Sequence, residues 1–167
     1  MKNTVLILLI AVLTVTGCRG ENAGDIQRID QVVNIYIDSL GQDMLNSKIP
    51  GSYFSVTMND VEGLTDNAPV TVNFKKDSDT VSYIRYIAGA RRIPVGISVD
   101  NADLYRSTIA LTLRRQLNDS MQAVTNDTLT LNYTYTPQLF QISSARYNDV
   151  PVFTKIEGQP NVIKISK

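Results

Sequence analysis

An acidic loop is the first stretch whose side chains could do chemistry. Asp60, Glu62 and Asp66 lie close together around Gly63. Carboxylate oxygens can hold calcium, although this spacing does not follow the EF-hand pattern. Asp, Asn and Gly are also the residues that tight turns require. The sequence therefore favours a turn, with a calcium site as the alternative, and no other metal site is predicted.

Two arginine pairs, Arg91–Arg92 and Arg114–Arg115, form the second set. Guanidinium groups bind carboxylates and phosphates through paired hydrogen bonds. Adjacent residues of a strand point to opposite faces, so neither pair is expected to act as one clamp. Solvated sheet edges are the simpler interpretation, because exposed charge there discourages aggregation. As functional residues, Arg91 and Arg92 are predicted to contact a protein partner.

Two tyrosines on one predicted strand form the third set. Tyr133 and Tyr135 are separated by one residue, so they share a face of the strand. Exposed tyrosines offer large, rigid contact surfaces to a partner protein. The alternative is packing across neighbouring strands, with the hydroxyl groups at the rim.

Catalytic motifs are missing from the sequence. The chain contains no histidine, which excludes Ser-His-Asp and Cys-His catalysis and histidine metal ligands. Neither Ser-x-x-Lys nor Gly-x-Ser-x-Gly occurs, and no glycine-rich phosphate loop follows a predicted strand. Distant carboxylates could still meet in the fold and catalyse without histidine. We therefore expect a protein that is not an enzyme, with a carboxylate-only site as the remaining alternative.

The N-terminus carries the pattern of an export signal. Lys2 precedes an apolar run from Val5 to Val15, which is too short to span a bilayer as a helix of the mature protein. The stretch Val15-Thr16-Gly17-Cys18 resembles the lipobox of bacterial lipoproteins, and this resemblance covers residues 1–18 only. It implies removal of a signal peptide over residues 1–17 and acyl chains on Cys18, which together anchor the protein firmly to a membrane.

The resemblance to lipoproteins also implies a cellular location. Residues 18–24 are polar and contain glycine, and we interpret them as a lipidated tether. They lack the dense acidic block that resembles surface-export signals of some lipoproteins. The expected location is the outer membrane, with the periplasm-facing side favoured over the cell surface. The Asn-, Tyr- and Ile-rich composition further resembles envelope proteins of the Bacteroidota type. The acyl chains are the only attached groups expected, and no cofactor is predicted.

Charge and length narrow the class of protein. Lys and Arg together number 16, as do Asp and Glu. Such a balance argues against a nucleic-acid partner, which usually requires a basic face. Because Cys18 is the only cysteine, no internal disulfide can form, and packing must supply the stability. The chain is long enough to bury a core, and residues 25–167 are predicted to form a single domain.

Residues 25–48 predict an amphipathic helix. Its apolar residues recur every three or four positions, at Ile26, Ile29, Val33, Tyr36, Leu40 and Met44. This spacing is typical of one face of a helix. Asp25 is a suitable N-cap, and Pro50-Gly51 would end the helix.

Residues 52–167 predict strands. Short runs of β-branched and aromatic residues alternate with polar ones and are separated by Asn, Asp, Gly and Pro, which is the pattern of an antiparallel β-fold. Residues 107–117 fit both a strand and a helix, and the clustered Thr and Ile favour a strand. The predicted fold is mainly β within the α+β class: an N-terminal helix followed by an antiparallel, β-sandwich-like domain.

Three functions remain compatible with these observations. The leading hypothesis is a lipid-anchored, non-catalytic domain that mediates protein–protein contacts in the cell envelope, as an accessory to assembly or secretion. The second is a lipoprotein that binds a glycan or another small ligand in a concave site. The third is an enzyme with a carboxylate-only site, which would require two facing carboxylates in a cleft.

Overall fold

The computed structural model describes residues 26–167. The predicted signal peptide, the acylated Cys18 and the tether lie outside this range. All regular elements of the described range are strands, so the prediction of a mainly β fold is confirmed. These residues contain no helix that is long and apolar enough to cross a membrane.

The described residues form twelve strands in two sheets. In chain order the strands are β1 (Arg28–Asp30), β2 (Val32–Ser39), β3 (Gln42–Asp43), β4 (Tyr53–Asp60), β5 (Asn73–Lys76), β6 (Ser82–Ile87), β7 (Ile93–Ile97), β8 (Asp103–Asn118), β9 (Met121–Tyr135), β10 (Leu139–Tyr147), β11 (Val150–Thr154) and β12 (Asn161–Ser166). The seven-stranded sheet has the order β1-β10-β9-β8-β4, with β11 beside β10 and β7 beside β8. The five-stranded sheet has the order β12-β2-β6-β5, with β3 beside β2. Most neighbours are antiparallel, as predicted, but β1 and β12 run parallel to β10 and β2.

The helix predicted over residues 25–48 is wrong, because β1, β2 and β3, followed by turns, occupy its described part. Val33, Ile35 and Ile37 are buried and alternate with more exposed neighbours, which is the two-residue period of a strand. Their β-branched side chains also favour strands over helices. The turn Leu40–Gly41, with positive φ at both residues, reverses the chain between β2 and β3.

The ambiguous segment over residues 107–117 belongs to β8, which confirms the strand interpretation. Alternate residues from Ile109 to Leu113 are buried. β8 pairs with β9 along almost its whole length, and the register places Tyr105 opposite Tyr133. This long hairpin forms the middle of the seven-stranded sheet.

Buried side chains from both sheets form one apolar core. Its largest fully buried side chains are Ile35, Ile37, Met58, Ile84, Tyr86, Ile109, Leu111, Leu113, Leu129, Leu131, Tyr133 and Ile142. Burial of such apolar surface is the main favourable contribution to folding. The finer assignment to the β-sandwich class remains a prediction.

A polar cluster beside β1 connects the two sheets. Lys155 Nζ donates hydrogen bonds to Asp30 Oδ2 at 2.6 Å and to Asn161 Oδ1 at 2.9 Å. Asn161 Nδ2 donates to Asp30 Oδ1 at 2.8 Å and to the carbonyl oxygen of Val32 at 3.0 Å. The Lys155 side chain is only 8% exposed, so solvent screens this ion pair weakly. The cluster therefore ties the end of β1 to β2 and β12.

The buried face of β8 gives a direct test of this architecture. We expect Leu111→Ala to lower the free energy of unfolding by about 2–5 kcal/mol, because it leaves a cavity in the core. Thr57→Ala, on the exposed face of the neighbouring strand β4, should change it by about 0.5 kcal/mol or less. Urea denaturation measures both. Equal effects of the two substitutions would contradict the assignment of inner and outer faces.

Candidate functional site

A cavity of about 400 Å³ opens at one end of the seven-stranded sheet. At this end β9 finishes, β8 and β10 begin, and β1 pairs with β10. We call this cavity the arginine–tyrosine pocket. Its lining residues are Gln27, Ile29, Gln31, Arg92, Tyr105, Tyr135 and Phe140.

Strand register assembles the aromatic wall of the pocket. Tyr105 lies opposite Tyr133, and Tyr135 lies opposite Phe140, on neighbouring strands. The rings of Tyr133 and Phe140 stack, with centroids 5.5 Å apart. Tyr135 meets Tyr105 edge to face at 6.4 Å. Cross-strand aromatic pairs of this kind stabilise a sheet and hold the rings in fixed positions.

Arg92 covers these aromatic rings. Its guanidinium carbon lies 4.6 Å from the ring centroid of Phe140 and 5.3 Å from that of Tyr133, which are cation–π distances. Arg92 Nη2 donates to Gln31 Oε1 at 2.9 Å and to the carbonyl oxygen of Ala88 at 2.7 Å. No carboxylate lines the pocket. The Arg92 guanidinium, held over the aromatic rings, can therefore bind an anionic or aromatic group of a ligand or partner.

The segment that carries Arg92 is held by a buried tyrosine. The hydroxyl oxygen of Tyr86 accepts hydrogen bonds from the N–H groups of Gly89 at 3.1 Å and Ala90 at 3.0 Å. Burial is the main cause that raises the pKa of Tyr86 to about 12. The hydroxyl group therefore stays neutral at physiological pH. Tyr86 acts as a positioning residue for the loop that leads to Arg92.

The two predicted contact tyrosines have different environments. Tyr133 is fully buried, and its hydroxyl group shares a hydrogen bond of 2.8 Å with Ser107 Oγ. Burial raises the pKa of Tyr133, and the contacts with Ser107 and Arg92 only partly oppose that rise. A partner cannot reach Tyr133, so its predicted role as a surface contact is wrong, and it supports the pocket from beneath. Tyr135 is 37% exposed and remains available.

Arg91 and Arg92 precede β7 instead of lying on a strand, so the predicted strand geometry does not apply to them, but their side chains do have separate partners. Arg91 is exposed, and its Nη1 reaches the carbonyl oxygen of Glu62 at 3.4 Å. Its backbone N–H donates to Asp60 Oδ2 at 2.6 Å. Only Arg92 lines the arginine–tyrosine pocket. Arg91 instead lies against the acidic loop.

The acidic loop has the geometry of a turn. Asp60 is buried at the end of β4, and its Oδ1 accepts from the N–H of Glu62 at 3.0 Å. Asp66 is exposed, and its carbonyl oxygen accepts from Asn59 Nδ2 at 3.2 Å. Across residues 26–167, no three His, Cys, Asp or Glu side chains lie close enough to hold a metal ion. The Asp60 carboxylate is occupied by backbone donors, which favours the turn over the calcium site.

A second buried carboxylate lies away from the pocket. Asp127 Oδ2 accepts from the Tyr147 hydroxyl group at 2.6 Å and from Lys167 Nζ at 2.7 Å, and its Oδ1 accepts from Asn148 Nδ2 at 2.6 Å. Burial disfavours the ionised form, but these donors outweigh burial and lower the pKa of Asp127. All its partners are hydrogen-bond donors, as expected of a structural ion pair rather than of facing carboxylates.

Several pocket residues are absent from the sequence prediction. Tyr105 is in phase with the buried residues of β8, so the two-residue period of this strand could have placed it on the inner face. Gln31 and Ile29 fall in the segment predicted to be helical, and the wrong prediction gave no reason to place them beside β10. Phe140 reaches the pocket through strand register, which sequence spacing does not reveal. Comparisons of the chain with protein families, with curated proteins and with solved structures give no match.

The lowered pKa of Asp127 predicts how stability depends on pH. Ionised Asp127 stabilises the folded chain above the usual carboxyl range, and this contribution is lost as pH falls through the folded-state pKa. We expect Asp127→Asn to lower the free energy of unfolding at neutral pH by about 1.5–3 kcal/mol. The difference from the unsubstituted chain should shrink in acid, as followed by urea denaturation across pH. Asp79→Asn, at an exposed turn position, is the control, and a difference that is constant with pH would contradict the assignment.

Proposed function

We propose that this chain is a lipid-anchored protein of the outer membrane that faces the periplasm, and that its β-domain binds a partner protein through the arginine–tyrosine pocket. The observation that carries the proposal is the convergence of Arg92, Tyr105 and Tyr135 at one concave site. Arginine and tyrosine are enriched among the residues that dominate binding energy at protein interfaces. Their fixed positions also reduce the entropy lost on binding. No chemical step is part of this function.

The position of the pocket supports a partner close to the membrane. Gln27 lines the pocket and follows the predicted lipid attachment site, Cys18, by nine positions. Even a fully extended tether of that length reaches only about 30 Å. Acylation of Cys18 would therefore hold the pocket near the membrane surface. We propose that the two sheets act as the two layers of a β-sandwich that presents the pocket there.

Binding of a small ligand is the second candidate, and the pocket itself favours it. A volume of about 400 Å³ falls within the range typical of small-molecule sites. The Arg92 guanidinium could bind an anionic group, and the tyrosine rings could pack against the rest of the ligand. A carboxylate-only enzyme receives less support, because no carboxylate lines this pocket.

Lipid anchoring has a direct test. We expect the unsubstituted chain to incorporate an alkyne-labelled fatty acid in cells and to fractionate with the outer membrane, because Cys18 carries acyl chains. Cys18→Ser should abolish the label and the membrane association. Gel fluorescence after click labelling, together with membrane fractionation, measures both properties. Labelling that persists in Cys18→Ser would contradict the proposed anchor.

Partner binding is tested at Arg92. A photo-crosslinking amino acid at position 135 should capture one envelope protein in cells, whereas the same amino acid at Lys164, an exposed position on β12, should not. We expect Arg92→Ala and Arg92→Lys to weaken binding of the captured protein at least about tenfold, because both remove guanidinium stacking. Arg91→Ala is the matched control.

Three results would decide between the candidates. Equal losses in the Arg91 and Arg92 variants, with unchanged melting temperatures, would overturn the assignment of the pocket. Capture of no protein from position 135 would favour the small-ligand function. Calorimetric titration with small carboxylates and glycans would then test that function on the same Arg92 variants.

A further inference from the structure

A second and larger opening lies where the two sheets leave a gap. It has a volume of about 740 Å³ and is lined by residues of both β4 and β5, the last strands of their sheets. We call it the seam groove. Its lining residues are Leu45, Asn46, Ser47, Lys48, Tyr53, Phe54, Ser55, Val56, Phe74, Lys75, Lys76 and Ser82.

The path of the chain explains why this groove is open. After β4 the chain returns along the outer edge of that strand, where the N–H of Val70 donates to the carbonyl oxygen of Met58 at 3.0 Å. It then crosses to the other sheet and forms β5, which pairs only with β6. At the other end of β4, the N–H of Tyr53 donates to the carbonyl oxygen of Met44 at 2.9 Å. Between these two contacts, no strand of the described range covers the edges of β4 and β5.

The rim of the groove is basic. Lys48, Lys75 and Lys76 line it, and no Asp or Glu does. None of the three lysines forms an ion pair within residues 26–167. Lys48 precedes β4, whereas the other two lie on β5, so lysines from two separate segments face one opening. Opposite charge on a ligand would complement this rim.

The groove also exposes apolar surface. Phe54 is 48% exposed and Phe74 is 51% exposed, and the buried residues Val56 and Leu45 also line the groove. A ligand that fills the groove would remove both phenylalanine rings from water. The ligand therefore needs an apolar part as well as negative charge.

Protection against aggregation does not account for the whole arrangement. Lysines on an edge strand discourage pairing with other chains, and this explains Lys75 and Lys76. It explains neither Lys48, which is outside any strand, nor the exposed rings of Phe54 and Phe74. Exposed apolar side chains at an edge promote association rather than prevent it.

We propose that the seam groove binds an extended, acidic segment of a partner protein, which adds a strand along the free edge of β5. Main-chain hydrogen bonds to β5 give affinity, as in other cases of strand addition. Alternate side chains of the segment point to opposite sides. One set places apolar groups between Phe54 and Phe74, and acidic groups of the other set meet Lys75, which lies on the opposite face of β5 from Phe74. This site is separate from the arginine–tyrosine pocket and does not depend on the function proposed for it.

The test uses the full chain in nanodiscs of neutral lipid. The probe is a fluorescent eight-residue peptide of alternating Glu and Val, and a Lys–Val peptide of the same length is the control. We expect saturable binding of the Glu–Val peptide by fluorescence anisotropy and slower hydrogen exchange at residues 73–76. The double substitution Lys48→Glu with Lys75→Glu should weaken binding at least about tenfold. Lys164→Glu, an exposed lysine on β12, and Arg92→Ala should each leave binding within about twofold.

Phe74→Ser tests the apolar contribution separately from charge, and it should also weaken binding of the Glu–Val peptide. The melting temperature of each variant, measured in parallel, shows whether the variant remains folded. A dissociation constant above about 1 mM for the Glu–Val peptide would overturn the proposal. Equal loss in Lys164→Glu, equal binding of the Lys–Val peptide, or binding without protection of residues 73–76 would also overturn it. Displacement of the peptide by palmitate or by anionic vesicles that bind more tightly would identify the groove as a lipid site instead.

Discussion

The pairing of β8 with β9 is the constraint on which the rest of the structure depends. These two strands form the centre of the seven-stranded sheet, with β4 and β7 bonded to β8 and with β10 bonded to β9. Their buried residues supply a large part of the core. The same register places the aromatic rings at the end of the sheet. A slip of one residue would turn the core outward and also dismantle the arginine–tyrosine pocket.

Local alternation made much of the β-structure predictable from the sequence. The strand over residues 107–117 and the shared face of Tyr133 and Tyr135 follow from a two-residue period. The prediction of a helix over residues 25–48 was wrong because the Val and Ile residues of this segment fit both a helical stripe and a strand. The arginine–tyrosine pocket could not be predicted for a different reason. It depends on the contact between β1 and β10, which are more than a hundred residues apart in the sequence. Spacing within a segment holds no information about such a contact, or about the stacking of Arg92 on Phe140.

The two openings share a chemical character although the whole chain is neutral. Each has basic side chains and aromatic rings among its lining residues, and neither has a carboxylate. The two buried carboxylates of the described residues, Asp60 and Asp127, are instead engaged in a turn and in an ion pair, respectively. Balanced composition therefore coexists with local positive surfaces. Such surfaces increase the rate at which negatively charged partners arrive and select against positively charged ones.

The position of β1 has a mechanical consequence. Because β1 is the first strand of the described range, tension applied through the lipid anchor that we propose would reach its hydrogen bonds with β10 before any other part of the sheet. The ion pair between Lys155 and Asp30 would oppose the peeling of β1 and would shield β2 from the load. Gln27 and Ile29 form one wall of the arginine–tyrosine pocket. Pulling on the anchor and filling the pocket would therefore act on the same few residues, so a bound partner would resist detachment of β1.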